Sequence, residues 1–416
     1  MATLLAASCL PCTACSLLSD FDGLVGAQPG GFSDAAIEAA DDASSDVAID
    51  AETGVDAEAG IDAEAGADAE AGADAEAGAD GSQNDVADVG VSGPVLMAKT
   101  TGHAHAMAVD DDAVYWTVHD FPTDAGVLGS ALFKADRGCT GGSCEELLAA
   151  FSCPDLSDIS ASDGFVYVGE RNESGDGRVL RVRTDGSAME TLATGQQAPT
   201  GLTVDNTYVY WTDEQEGLLV LARKDVPWVD GGSGTADVVA SGLTSPRFLV
   251  RDTFTTNLFW TSRTNGAVYG CKVNLTGGDA KCSPAALSEP VLGPDAGNSG
   301  AAFGLAVDDA HVYWREGNDW EPVGRVRRVS KFASQPQAAE VVAEGDFGLA
   351  PRWIATDEGN VYWTNFLKGW VVRMSPASDA GPEVWANVPA PHSCVIANDA
   401  VFVSSWAQGE VYRIPK

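Results

Sequence analysis

One short motif, an aliphatic residue followed by an aromatic and a bulky apolar residue, returns seven times in this chain. The copies are Val114-Tyr115-Trp116, Val166-Tyr167-Val168, Val209-Tyr210-Trp211, Leu258-Phe259-Trp260, Val312-Tyr313-Trp314, Val361-Tyr362-Trp363 and Val401-Phe402-Val403. Their central aromatics lie 40 to 54 residues apart. A self-similar period of that size restricts the chain to a stacked or circular array, because a single unit cannot bury its own apolar face.

Each copy sits in a longer pattern of alternating runs separated by turn residues. In the fifth, an apolar run ends in Leu305-Ala306-Val307-Asp308, the aromatic strand follows, and two further runs lie at Gly324–Val329 and Glu340–Ala343. Four short runs of period 2, with no amphipathic helix between them, predict four antiparallel strands per copy, which is one propeller blade. The seventh copy has only three runs, Cys394–Ala397, Ala400–Ser404 and Gly409–Ile414, and an orphan run, Pro94–Ala98, precedes the first copy. Pairing the two would close the ring and cover exposed strand edges. The expected fold is therefore all-β: a seven-bladed β-propeller over 93–416, closed by an N-terminal strand.

The repeat resembles the YWTD-type propellers of the low-density lipoprotein receptor family. Tyr210-Trp211-Thr212-Asp213 matches that signature letter for letter and Tyr362-Trp363-Thr364-Asn365 nearly so, whereas Trp314-Arg315-Glu316 departs from it. Those propellers have six blades, so the likeness is to the blade and not to the ring. The layout as a whole, a lipoprotein-like start, an acidic linker and a propeller, resembles that of uncharacterised secreted lipoproteins of myxobacteria.

Residues 1–15 read as a signal with a lipobox-like end, in which small Thr13 and Ala14 precede Cys15, the residue expected to be lipidated. The basic segment usual in such a signal is absent, since the first Lys or Arg is Lys99. Residues 16–92 read as a disordered acidic linker of Ala, Asp, Glu and Gly. Between 33 and 92 there are 18 acidic residues and no basic ones, with four tandem copies of x-Asp-Ala-Glu-Ala-Gly over 55–78. Self-repelling charge and the lack of an apolar face oppose folding. These features predict an exported bacterial lipoprotein of the outer membrane or cell surface, touching the membrane through its anchor alone.

The segment 93–416 holds 24 basic and 41 acidic residues, a net charge of −17. That excludes a nucleic-acid partner, which needs a basic footprint. Removal of Cys9 and Cys12 and lipidation of Cys15 would leave six cysteines, which suits an oxidising compartment. Cys139 with Cys144, and Cys271 with Cys282, flank equivalent loops and are expected to form disulfides at hairpin tips. No pairing follows for Cys153 and Cys394.

Function in a propeller is sought at the channel mouth, where loops from all blades converge. Counting ten residues back from each central aromatic, or twelve in blade four, gives His105, Ser157, Thr200, Arg247, Phe303, Arg352 and His392. Four of these follow a proline. His105, Arg247, Arg352 and His392 are candidate ligand-binding residues, since guanidinium groups fork onto carboxylates. A second ring, three residues after the aromatic, collects Glu170, Asp213, Glu316 and Asn365, and Trp320, Trp353 and Trp406 are candidates for the same surface. Paired across the channel, these polar residues would be structural. His103-Ala104-His105 could contribute to a metal site, and the histidine ring faintly resembles that of seven-bladed streptogramin lyases, which use histidine and a metal, although their His-rich signature is not present. The chain is thus expected to be a binding or scaffold module for an extracellular protein or glycan, needing no cofactor. The alternative is a lyase or lactonase assisted by a divalent metal at the channel mouth. The recurrent Asp110, Asp205, Asp308 and Asp357 read as turn residues rather than catalytic ones.

Overall fold

Each copy of the motif forms the second strand of a four-stranded antiparallel sheet, and seven such sheets make a β-propeller. The computed structural model describes Ala6–Ala7 and residues 93–416, apart from 124–125, 154, 173–174, 227–235, 276–279, 291–301, 318–323, 349–350 and 379. The expected lipidation site Cys15, the expected linker 16–92 and Trp320 lie outside the described residues. Blade one comprises His103–Val109, Ala113–Pro122, Leu128–Asp136 and Glu146–Phe151, and blade five Ala302–Val307, His311–Gly317, Gly324–Ser330 and Glu340–Ala343. In the full-length chain Ala6–Ala7 adds a short parallel strand beside Glu146–Phe151.

Closure follows the missing-strand argument. Val95–Lys99 pairs antiparallel with Glu410–Pro415, placing Val95 opposite Arg413 and Lys99 opposite Glu410. Lys99 Nζ lies 2.8 Å from Glu410 Oε1. The first strands of all seven blades contact one another in sequence around the ring, the last returning to the first.

The motif aromatics pack between blades, and seven apolar clusters each bridge one pair of neighbouring blades. Trp116, Trp211, Trp260, Trp314 and Trp363 are all buried. Truncating one such side chain to Ala would cost about 3–5 kcal/mol. The recurrent aspartates serve the turns. Oδ1 of Asp205 accepts from the backbone N of Thr207 and Tyr208, and Oδ2 accepts from Tyr210 Oη at 2.8 Å. The arrangement recurs at Asp110, Asp308 and Asp357. Ion pairs join neighbouring blades at this end, among them Lys331–Asp252 at 2.9 Å and Lys416–Asp357 at 2.8 Å.

Both expected disulfides, Cys139–Cys144 and Cys271–Cys282, are formed. Cys153 and Cys394 are buried free thiols.

Candidate functional site: a channel mouth lined from every blade

The first strand of every blade carries a break in pairing register, and the counted ring position falls at it. In blade three the break lies between Pro199 and Leu202, in blade four between Pro246 and Leu249, in blade six between Pro351 and Ile354, and in blade seven between Pro391 and Cys394. Blades one and two break around His105 and Ser157. In blade five Phe303 borders the break and Gly304, at φ 51°, fills it. Such bulges re-aim side chains that a regular pleat would send to alternate faces.

The hydroxyl of the motif explains how each bulge is held. Gly201 N donates to Thr212 Oγ1 at 3.0 Å, and Thr212 Oγ1 donates to Arg247 O of the next blade at 2.8 Å. Thr364 takes the N–H of Trp353 and donates to His392 O at 2.7 Å; Ser404 takes that of Ser393 and donates to His105 O at 3.0 Å. One side chain thus satisfies the unpaired amide of its own bulge and fixes the ring residue of its neighbour. Blade two reverses the arrangement. Ser157 Oγ donates to Gly169 O, and a Cβ on Gly169 would come within 2.1 Å of that hydroxyl, so glycine replaces the threonine there.

All seven ring residues line one cavity of about 110 Å³, joined by Asp155, Leu156, Asp158, Arg171, Phe248, Arg315 and Trp353. Its walls differ. On one side lie Arg247, Arg315 and Arg352, with the Arg315 guanidinium 4.2 Å from the Phe303 ring centre and that of Arg247 5.1 Å from it. Phe248 meets Phe303 and Trp353 edge to face at 6.2 and 5.7 Å. Arg247 Nε also lies 3.8 Å from Glu214 Oε2.

On the other side is a cluster of histidines. His105 stacks on His119 at 4.4 Å and lies 4.7 Å from His392, and Trp406 is 5.6 and 5.1 Å from His105 and His392. His103 stacks flat on Trp406 at 4.8 Å and lies 2.9 Å from its carbonyl through Nδ1. Four of the five histidines in the protein therefore gather at the junction of blades seven and one. Burial, with His119, His392, Arg247 and Arg171 nearby, holds His105 well below the usual histidine range. Burial also lowers His119, against the opposing pull of Asp155 and of the Leu156 carbonyl, which its Nε2 meets at 3.2 Å. Both rings are thus neutral at pH 7. Burial pushes the Asp158 carboxyl up to about 7, with Arg247 pulling it down.

Of the four candidate ring residues, His105, Arg247, Arg352 and His392 come together in this cavity, and Trp353 lines it with them. Glu170, Asp213 and Glu316 do not line it. They end or nearly end their second strands and hold the loops that follow. Glu170 pairs with Arg178 at 2.6 Å, Glu316 with Arg327 and Arg325, and Asp213 accepts from the backbone N of Gln197, Ala198 and Glu216. Asn365 likewise donates to Asp346 O at 2.8 Å.

Six contributors were not singled out from the sequence: His119, Asp155, Asp158, Arg171, Phe248 and Arg315. Asp158 and Phe248 each follow a ring residue, and a bulge lets two successive side chains face one cavity. Arg315 occupies the position of the motif threonine in blade five, so the departure at Trp314-Arg315-Glu316 was the available signal. His119 stands opposite His103 in the pairing of blade one. Among the described residues no three His, Cys, Asp or Glu side chains gather as metal ligands. The stacked imidazoles present faces rather than converging lone pairs.

No protein-family model matches the chain, and no curated protein matches it in sequence. Its fold is similar to that of virginiamycin B lyase from Staphylococcus aureus, at 13% identity and a TM-score of 0.56 over 78% of this chain and 98% of that one. YCF48 bound to D1 peptide is similar at 11% identity and 0.52, over 77% and 96%. A nidogen/laminin complex matches at 18% identity and 0.43, over 61% of this chain and 89% of that one. At these identities the likeness is one of fold.

Proposed function

We propose that this protein is an exported binding module whose channel mouth captures an anionic group of an extracellular protein or glycan. In this reading Cys15 carries a lipid anchor, and the acidic segment 16–92 holds the propeller off the membrane. The single observation that carries the binding role is the convergence of Arg247, Arg315 and Arg352 on one wall of a cavity that every blade helps to line. Guanidinium groups backed by aromatic faces, and partly shielded from water, favour a carboxylate over a neutral ligand. The protein is acidic elsewhere, so this wall is also a local attractor for anions.

Fold does not choose the function, because the similar propellers include one named a lyase and one bound to a peptide. The competing reading, a lyase or lactonase, draws on Asp158 with a pKa of about 7 in the same cavity as the neutral His105. That pair has the protonation states of an acid and a base at neutral pH. The arrangement of the histidines does not fit a divalent metal, and no step is derived through one.

Replacement of both Arg247 and Arg352 by Ala tests the binding role. The wild-type protein is expected to retain acidic glycans or acidic proteins on an array, and the double variant to lose them while its melting temperature holds. Unchanged binding in the variant, or none in the wild type, refutes the assignment. Intact-mass measurement on the membrane fraction tests the anchor: a mature N-terminus other than acylated Cys15 ends that part of the reading.

A further inference from the structure

We infer that the ligand is the terminal acidic sugar of a glycan, a single pyranose ring bearing a carboxylate, inserted end-on along the channel axis. This rests on the anion-binding reading above and adds to it a ligand class and a mode of approach.

The approach follows from the architecture. First strands from all seven blades line the cavity, so it is walled in radially and has no lateral cleft through which a polymer could run. Only the tip of a ligand can enter. A cavity of about 110 Å³ also limits what enters to roughly one ring, since an engineered protein cavity of about 150 Å³ holds one benzene.

The ligand class follows from the two unlike walls. Arg247, Arg315 and Arg352 suit a carboxylate, and Phe248 and Trp353 beside them offer aromatic faces to the C–H face of a sugar ring. Elsewhere the lining presents Ser157, Thr200, Asp158 and neutral His105, which both donate and accept hydrogen bonds, as a set of sugar hydroxyls requires. The buried Nδ1 of His105 has no hydrogen-bond partner among the described residues. A fatty acid would leave these groups unmatched, and so would a bare sulfate or phosphate held at the arginine wall. Unmatched buried polar groups are what gives such a site discrimination.

The test compares probes on the unaltered full-length protein. Isothermal titration at pH 7 would use sodium glucuronate and sodium galacturonate, with glucose, sodium sulfate and N-acetylglycine as controls. At least one uronate is expected to bind roughly tenfold or more tighter than glucose and than either anionic control, because only a uronate hydrogen-bonds to both walls at once. The single variants Arg352→Gln and Ser157→Ala should each weaken uronate binding, and only the first should weaken sulfate binding. If sulfate or N-acetylglycine binds as well as both uronates, the mouth is an anion or peptide-terminus site and the sugar assignment alone falls. If glucose binds as well as the uronates, or if no probe binds, the anion-binding reading falls with it.

Discussion

Asp158 offers a quantitative test of the site, because its ionisation is opposed by the position that makes it useful. The carboxyl titrates at about 7 in the folded protein against 3.8 when unconstrained. Between those values the unfolded chain has lost the proton that the folded chain still holds. Stability therefore falls as pH rises from 4 to 7, and the loss is complete above 7. The gap of about 3 pH units corresponds to roughly 4 kcal/mol, at about 1.4 kcal/mol for each. Asp158→Asn keeps the shape of the neutral acid and cannot ionise. Relative to the wild type it should be neutral near pH 4 and up to about 4 kcal/mol more stable at pH 8. The 324 residues of 93–416, at about 2.1 cal/mol/K each, give an unfolding entropy near 0.7 kcal/mol/K, so the gain is roughly 6 °C in Tm. The buried histidines change stability in the opposite sense below pH 6.5, but they do so in both proteins. Calorimetry of the pair at pH 4, 6 and 8 reads the difference directly. A difference that does not change with pH, or a variant less stable at pH 8, would refute the argument that burial keeps this carboxyl protonated.

Three further outcomes follow from particular contacts. Thr212→Val removes the hydroxyl that joins Gly201 N to Arg247 O and should cost about 1–3 kcal/mol, measured as a lower urea midpoint, with anion binding weakened because Arg247 loses its anchor. Lys331→Met strands Asp252 among buried groups, Lys331 being 2% and Asp252 5% exposed, and should cost about 3–5 kcal/mol at neutral pH. Burial raises the Asp252 carboxyl while Lys331, Thr255 and the Phe254 amide lower it further, so in the variant the penalty should shrink on acidification as the carboxyl protonates; a penalty independent of pH would contradict this. Reducing the disulfides should cost about 3 kcal/mol for Cys271–Cys282 and about 2 kcal/mol for Cys139–Cys144, from sequence separations of 11 and 5; single Cys-to-Ser variants in urea titrations separate the two.

The period of the aromatic motif was enough to determine the blade count and the ring closure. A repeat near 45 residues with four alternating runs has one compact solution, and a last copy lacking a strand requires a donor, which Val95–Lys99 supplies. The turn role of Asp205 and its equivalents was readable for the same reason: such hydrogen bonds span three to five residues and are local chemistry. Counting back from each aromatic also located His105, Arg247, Arg352 and His392, because equivalent positions in a closed ring point in equivalent directions. Tertiary structure alone decided the rest. Alternation of faces holds only in a regular strand, and the bulge in each first strand breaks it, which is how Asp158 and Phe248 enter the cavity beside Ser157 and Arg247. Glu170, Asp213 and Glu316 were placed at the mouth by the same count, yet each turns to nearby loop donors because a carboxylate at a strand end meets unpaired amides and arginines there first. The clustering of His103, His105, His119 and His392 around Trp406 depends on blade seven meeting blade one. Residues almost three hundred positions apart become neighbours only when the ring closes, and no spacing along the chain encodes that contact.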